Sequence, residues 1–533
     1  MAIFGFSEDN PGLLDRMTGY LKGQKPGKAY KFCAKNICLA YADKLHNGDP
    51  RNNFAVCDGK KTIALILEGH IYNTRDFAAE SIIWLYKEYG LDFIKRLEGE
   101  FTFVLYDSLA GKLIFYRDEF GTKPLYYSYK NGKIIFASEI KAIFRHPLKR
   151  EFNLEALVEQ SILGFTYNDK TIFSGIYSLP AGIPTLFDLK TQAFSYPSYR
   201  PKKGSRKNNL TELEIIQRTE KLIVESSQRK IASEKEIGLY LSGGVDSTLI
   251  ADIIRNNKIR VNAYSLKGQK NRADLFYAAK NAQKYGFQHQ IIAIKETEAL
   301  RFLPAACYHV ENIWFQMAKV YLFLHKIKGN QRVNLWGIGT EEFFKGLASH
   351  INQEGFRNYL TNRITKKYPQ AKIVLPWAQE MLRHPAKIMF DEIALRTLLY
   401  QIRLIYQVSA SVNQEARFPY LSQKIRNFLE QIPQKLHTQN ANPKYIIRQI
   451  AKTRGLKYNN RFKLGFDTSL DMEVTAKSLR ELFPKIKPKL KNLKLFSGLK
   501  FNAEEIICLD ILDRVMLKET NHYSQDLQTI YRI

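Results

Sequence analysis

One stretch constrains this chain more than any other: Ile237-Gly-Leu-Tyr-Leu241 running directly into Ser242-Gly243-Gly244-Val245-Asp246-Ser247. A short apolar run of strand length meets a glycine pair, and a helix-compatible run from Ser247 to Asn256 follows. Glycines let the backbone turn sharply and come close to a ligand. Free N–H groups at the start of the next helix favour an oxyanion, and serine hydroxyls add donors. Asp246 would repel a bare phosphate but suits one that arrives with Mg²⁺. The loop lacks the Gly-Lys-Ser/Thr of a Walker A motif, which disfavours a kinase-like site. The plain alternative is a chance turn with Asp246 or Ser247 as a helix N-cap.

The surrounding rhythm extends the loop into a fold. A helix is predicted over Leu210 to Lys230, a strand over Arg260 to Ser265, a helix over Ala273 to Tyr285 and a strand over Gln290 to Ile294. Alternating βαβ units imply a doubly wound parallel sheet with ligands at the carboxyl ends of its strands. From about residue 380 the chain reads as helical. The first two hundred residues differ. Runs such as Thr62–Leu67, Phe101–Tyr106, Lys112–Tyr116, Pro124–Ser128 and Lys133–Ala137 are short and rich in β-branched and aromatic residues, with turn signals such as Asn131-Gly132 between them. With a helix around Asp76 to Tyr89, they predict an α+β unit of antiparallel sheets. At 533 residues the chain is too long for one core. The expected division is a first domain over 1–200, a polar, basic linker over 201–209, and a second domain over 210–533.

The formal charge of +29 points to anionic partners or to a lysine-rich proteome. The basic stretch Pro484 to Lys494 could meet an anionic surface or an acidic peptide, but lacks the aromatic interleaving of a single-strand binder, so nucleic acid is disfavoured. Five cysteines, Cys33, Cys38, Cys57, Cys307 and Cys508, include no CxxC pair, which predicts reduced, mostly buried thiols in a cytoplasmic protein. Met1 to Tyr20 holds Asp9, Asp15 and Arg16 and does not read as a signal peptide. No run reaches the roughly 18 apolar residues of a membrane span.

The chain resembles the asparagine synthetase family of N-type ATP pyrophosphatases, which includes β-lactam synthetases and lasso-peptide macrolactam cyclases. The resemblance rests on the loop and on an ordered series of matches: Glu68–Asn73, Leu97–Asp107, Arg117–Tyr127, Ala137–Ala142, Glu415–Leu421, Lys444–Arg448 and Arg461–Phe466. It implies an N-terminal Ntn-hydrolase-like domain and an ATP-pyrophosphatase domain that adenylates a carboxylate, using ATP and Mg²⁺. It further implies that Ser242, Gly243, Gly244, Asp246, Ser247 and Gly337 hold pyrophosphate, and that Leu241 and Leu266 meet the adenosine through main-chain groups. Asp274 would lie near the nucleotide, with an ordinary helix N-cap as the alternative. Asp246 and Glu341 would bind the metal, the latter replacing a family aspartate; a solvated acidic pair is the alternative. Lys444 would stabilise charge at the acyl-adenylate. Arg448 and Lys463 are further phosphate candidates for which a structural role is equally open.

The departures from the pattern narrow the function. Glutamine-using relatives carry a cysteine nucleophile after the initiator methionine; here that position is Ala2. His70 replaces an acidic residue and Glu98 an aspartate, which predicts a first domain retained as scaffold. Ile338 stands for a family glutamate, or for the dyad tyrosine of β-lactam synthetases, and with Trp336 suggests a larger, less polar substrate pocket, unless both pack in a core. The expected reaction is amide formation on a carboxylate substrate, first a peptide whose own amine closes the ring, supported by a leader-peptide protease or recognition partner. An ammonia-dependent amidotransferase is the second reading, and a non-catalytic or nucleic-acid- or membrane-binding relative the third.

Overall fold

Alternating apolar strands closed by tight turns build the first part of the chain, and parallel strands spaced by helices build the second. A computed structural model describes residues 2–8, 10–20, 29–34, 36–42, 55–73, 78–197, 210–267, 272–327, 329, 331–344, 353–362, 386–433, 436–437, 443–459 and 503–518. The expected linker 201–209, Lys463 and the basic stretch 484–494 lie outside these residues. The chain divides into two compact units, Met1–Gln160 with Gly164–Lys202, and Ser161–Leu163 with Lys203–Ile533.

The first unit holds β1 (Ala2–Phe6), β2 (Ala29–Ala34), β3 (Ile37–Ala42), β4 (Ala55–Cys57), β5 (Ile63–Ile71), β6 (Gly99–Asp107), β7 (Lys112–Arg117), β8 (Tyr126–Lys130), β9 (Lys133–Ala137), β10 (Tyr177–Ser178), β11 (Thr185–Asp188) and β12 (Ala193–Ser195). They form two six-stranded sheets, β10-β8-β9-β1-β3-β2 and β12-β11-β7-β6-β5-β4, antiparallel throughout. The Asn131-Gly132 turn joins β8 to β9 with φ of 51° and 77°, the double positive φ of a tight hairpin. Ile3, Leu39 and Phe136 from one sheet share a core with Leu65, Phe103 and Phe115 from the other. Each such buried side chain contributes roughly 1.5–3 kcal/mol.

One expectation is corrected here. Cys33 and Cys38 face each other across β2 and β3 and form a disulfide, so they are not free thiols. Cys307 and Cys508 are free and buried, while Cys57 is free and exposed.

The second unit carries β13 (Glu236–Tyr240), β14 (Arg260–Lys267), β15 (Gln288–Ala293), β16 (Val333–Leu335) and β17 (Glu415–Arg417), ordered β15-β14-β13-β16-β17 and all parallel. The helix Glu212–Ile231 that leads into this sheet starts on a capping box, Thr211 with Glu214. Arg417, 1 % exposed, fixes β17 to that helix by donating to the Lys230 carbonyl while pairing with Glu234 and Glu415. The strand order reverses between β13 and β16, so the loops that follow these two strands open side by side at the carboxyl edge, where doubly wound sheets bind ligands. Helices, including Ala386–Ser411, Tyr445–Thr453 and Ala503–Leu512, make up most of the described remainder. Among the described residues no helix is long and apolar enough to cross a membrane.

Candidate active site

Two loops meet at the reversal point. Leu241 to Gly244 follows β13 and Trp336 to Gly339 follows β16; Gly337 lies against the main chain of Asp246 and Ser247. Gly243 turns the first loop with φ of +79°, and a Cβ there would fall 1.9 Å from the Asp274 carbonyl oxygen, so only glycine fits. Ser247 Oγ accepts from the Ser242 N–H at 3.1 Å and lies 3.0 Å from Ser242 Oγ, which ties the two serines into one cradle. Gly244 caps the helix Val245–Ile254 without a side chain, leaving that helix start open to an oxyanion. In the second loop Gly339, at φ +103°, begins the turn Thr340–Phe343 that presents Glu341.

Lys444 joins the acids of the two loops. Its ammonium lies 2.7 Å from Asp246 Oδ2 and 2.5 Å from Glu341 Oε1. The other oxygens, Asp246 Oδ1 and Glu341 Oε2, are buried and accept no hydrogen bond among the described residues. Lys444 is 7 % exposed and adopts φ +57° at the start of the helix Tyr445–Thr453. A left-handed backbone at a non-glycine residue costs about 1–3 kcal/mol and is kept where the surroundings demand it. Burial pulls the Lys444 ammonium towards deprotonation, but Asp246 and Glu341 outweigh it and hold the pKa above the usual lysine range. Glu342, next to Glu341, is pushed up to about 7, first by burial and further by the Glu341 charge. Tyr420, kept protonated by burial, donates to the Asp246 main-chain carbonyl at 2.8 Å.

The orphaned oxygens test whether Mg²⁺ fits. Two buried carboxylate oxygens with unused lone pairs suit a hard cation. Among the described residues no group of three His, Cys, Asp or Glu side chains could cage a metal. Mg²⁺ bound by one or two carboxylates together with phosphates and water needs no such cage. Asp246 and Glu341 therefore fit a cation that arrives with a nucleotide.

The remaining expected residues fall as follows. Asp274, 1 % exposed, is the third residue of the helix Arg272–Tyr285 and not its cap; its Oδ1 accepts from Asn459 Nδ2 at 2.6 Å. Arg448 lies one turn beyond Lys444, donates to the Pro443 carbonyl at 2.9 Å, and is close enough to favour ionised Glu341. The Leu241 N–H is spent on the Tyr264 carbonyl at 2.8 Å, and its carbonyl accepts from Ser265 Oγ. Leu266 is 8 % exposed and pairs in the sheet with Ile292. Trp336 is 2 % exposed and its ring lies 4.0 Å from that of Tyr240, a placement that accords with the core alternative. Ile338 is half-buried in the loop beside it.

Residues 218–530, more than half the chain, match the asparagine synthase family, and residues 1–199 match the glutamine amidotransferase domain. The chain belongs to the asparagine synthase family. Asparagine synthetase 2 (glutamine-hydrolysing) of Bacillus subtilis strain 168 is 26 % identical over 490 residues, which is 80 % of this chain and 65 % of that protein. A putative asparagine synthetase 2 (glutamine-hydrolysing) of Methanocaldococcus jannaschii is 23 % identical over 374 residues, 64 % of this chain and 71 % of its own. The amidase chyE of Penicillium rubens is 34 % identical over 178 residues, 33 % of this chain and 26 % of its own. The chain thus spans just under two thirds of the length of the Bacillus relative.

In this member of the asparagine synthase family, β1 opens with Ala2, 2 % exposed and paired with Ala42. His70 is half-buried opposite Glu100 on β6, and the Glu98 N–H donates to Asn73 Oδ1 at 2.8 Å. Two features of the synthase unit escape sequence reasoning. Asn459 donates its main-chain N–H to the Gly243 carbonyl at 2.9 Å as well as its side chain to Asp274, clamping the glycine loop. His289 lies 2.8 Å from Ser265 Oγ, which donates to the Leu241 carbonyl; the ring therefore donates from Nε2. Neither residue belongs to a recognisable motif, and only the proximity of Asn459 to Arg461–Phe466 offered a signal.

Proposed function

We propose that this chain is an ATP-dependent amide ligase that adenylates a carboxylate and releases AMP and pyrophosphate. The observation that carries the reading is the convergence of Asp246, Glu341 and Lys444 beside the Ser242–Ser247 cradle. A substrate carboxylate oxygen attacks the α-phosphorus of ATP, and the bond to the bridging oxygen of pyrophosphate breaks. The glycine turn and helix start hold the departing pyrophosphate. Mg²⁺, held by Asp246 and Glu341, would neutralise phosphate charge. Lys444 supplies positive charge for the oxyanion that forms when an amine nitrogen attacks the acyl carbon. AMP leaves with the acyl C–O electron pair, and the nitrogen loses a proton.

The amine belongs to the substrate in this reading, and glutamine is not hydrolysed. Ala2 offers no thiol at the head of β1, and half-buried Ile338 neither gives nor accepts a proton. A peptide bearing both amine and carboxylate gains the effective molarity of an intramolecular reaction. Ring closure between a peptide N-terminus and an Asp or Glu side chain, as in lasso peptides, is the leading form. The names of the relatives favour a second reading, free ammonia added to a small acid. Incubation with ATP, Mg²⁺ and either a precursor peptide or aspartate plus ammonium separates them. Peptide-dependent AMP release with loss of one water from the peptide mass supports cyclisation. AMP release with aspartate and ammonium alone favours the second reading, and ADP as product refutes adenylation.

A further inference from the structure

We infer that Lys444 is an exchangeable counter-ion: it holds Asp246 and Glu341 together, then yields both carboxylates to the divalent cation and turns its ammonium to the phosphate. This inference rests on the proposed function, in which these carboxylates receive the cation. Three observations carry it.

Asp246 belongs to the helix after β13 and Glu341 to the turn after β16, and the ammonium contacts one oxygen of each, at 2.7 and 2.5 Å. Two half-buried carboxylates this close repel unless a cation lies between them. A divalent cation bound by this pair would compete with Lys444 for the same two carboxylates, each of which also carries a buried oxygen that accepts no hydrogen bond among the described residues. An ammonium and a divalent cation sharing that space would repel strongly in a site of low effective dielectric. Arrival of one drives out the other.

The destination is also defined. Asp246 is both a member of the pair and in the first turn of the helix whose start is open to an oxyanion, so an ammonium leaving it would meet a phosphate held there at short range. A lysine suits the exchange because its charge is a point on a flexible four-carbon stem. Cation binding and phosphate neutralisation thereby become one coupled event.

The test is the binding of Mn²⁺ alone to the full-length protein, read as free Mn²⁺ by electron paramagnetic resonance. Lys444→Met removes the competing charge and should bind Mn²⁺ at least about tenfold more tightly than wild type, whereas Lys444→Arg should stay close to wild type. Equal or weaker binding by Lys444→Met overturns the exchange and leaves the proposed function standing. Failure of all three proteins to bind Mn²⁺, even with inorganic pyrophosphate present, overturns the metal pair itself and this inference with it. Wild type provides a second readout should Lys444→Met fail to fold. With ε-¹⁵N-lysine, the ammonium resonance missing from Lys444→Arg should shift saturably on Mg²⁺ addition. An unmoved resonance at saturating Mg²⁺ refutes the exchange.

Discussion

Buried charge is handled differently in the two units. In the first, the 5 % exposed Arg117 donates to the carbonyls of Gly121, Lys123 and Leu179 and to Ser178 Oγ. Asp118 beside it accepts from the N–H groups of Phe101, Phe120 and Thr122 and from the Thr122 hydroxyl. In the second, Asp246 and Glu341 each give one oxygen to Lys444 and keep one buried oxygen without a donor among the described residues. Burying a charge is costly unless it is compensated. The compensation of Arg117 and Asp118 lies inside the fold, which marks them as scaffold. That of Asp246 and Glu341 is half finished among the described residues, which is what the proposed cation site requires.

The largest expected effect probes the scaffold side. Arg117→Met leaves four buried acceptors without their donor and should destabilise the first unit by about 3–5 kcal/mol. Its thermal unfolding should move down accordingly, while AMP formation per folded molecule stays near wild type. An unshifted melting curve would erase the contrast between the two clusters. Next in size, Asp246→Asn keeps the shape but removes the charge, and pyrophosphate formation should fall about 10²–10³-fold. A decrease below about threefold in the pyrophosphate-release assay would move Asp246 to the scaffold side.

Part of this contrast is legible in the sequence. The βαβ order around Ser242–Ser247 follows from alternating periodicity, and Asn131-Gly132 specified a hairpin because two successive positive φ angles suit that pair. The candidate acids and the lysine could be named from family patterns, but not their meeting, which depends on β13 pairing with β16 and on the start of the helix Tyr445–Thr453. The pocket and core readings of Trp336 could not be separated in the sequence, because an apolar residue just past a strand can face either; its ring packs on Tyr240 at the end of β13. Counting cysteines could not reveal the register that sets Cys33 opposite Cys38. Asn459 stayed hidden because one of its two partners is a main-chain carbonyl, which no side-chain pattern advertises.

Asn459 sharpens the comparison from the site side. Unlike Arg117, it satisfies groups that belong to the glycine loop and to Asp274. Asn459→Ala removes the side-chain bond to a buried carboxylate, worth about 1.5–3 kcal/mol, and should raise the KM for ATP roughly tenfold or more with a smaller change in kcat. Equal losses in both, or a lower melting temperature with unchanged KM, would make it a packing residue like those of the first unit.

The smallest effect concerns His289, where the synthase unit buries a titratable group on a satisfied chain. Its ring donates to Ser265 Oγ, which in turn donates to the carbonyl of Leu241, so the arrangement needs a proton on Nε2, and partial burial disfavours a second proton on Nδ1. Burial lowers the His289 pKa below its ordinary 6.5. The unfolded chain then takes up the proton more readily than the folded one, so stability rises with pH across this window. The contribution is fully present above about 6.5, the unfolded value, and is lost as pH falls through the lower folded value. His289→Gln can still donate to Ser265 but cannot titrate. Between pH 7.5 and 5.5, roughly one unit either side of that value, wild type should lose more melting temperature than His289→Gln. Parallel curves for the two proteins would place the acid sensitivity elsewhere and leave His289 as a packing residue beside the loop.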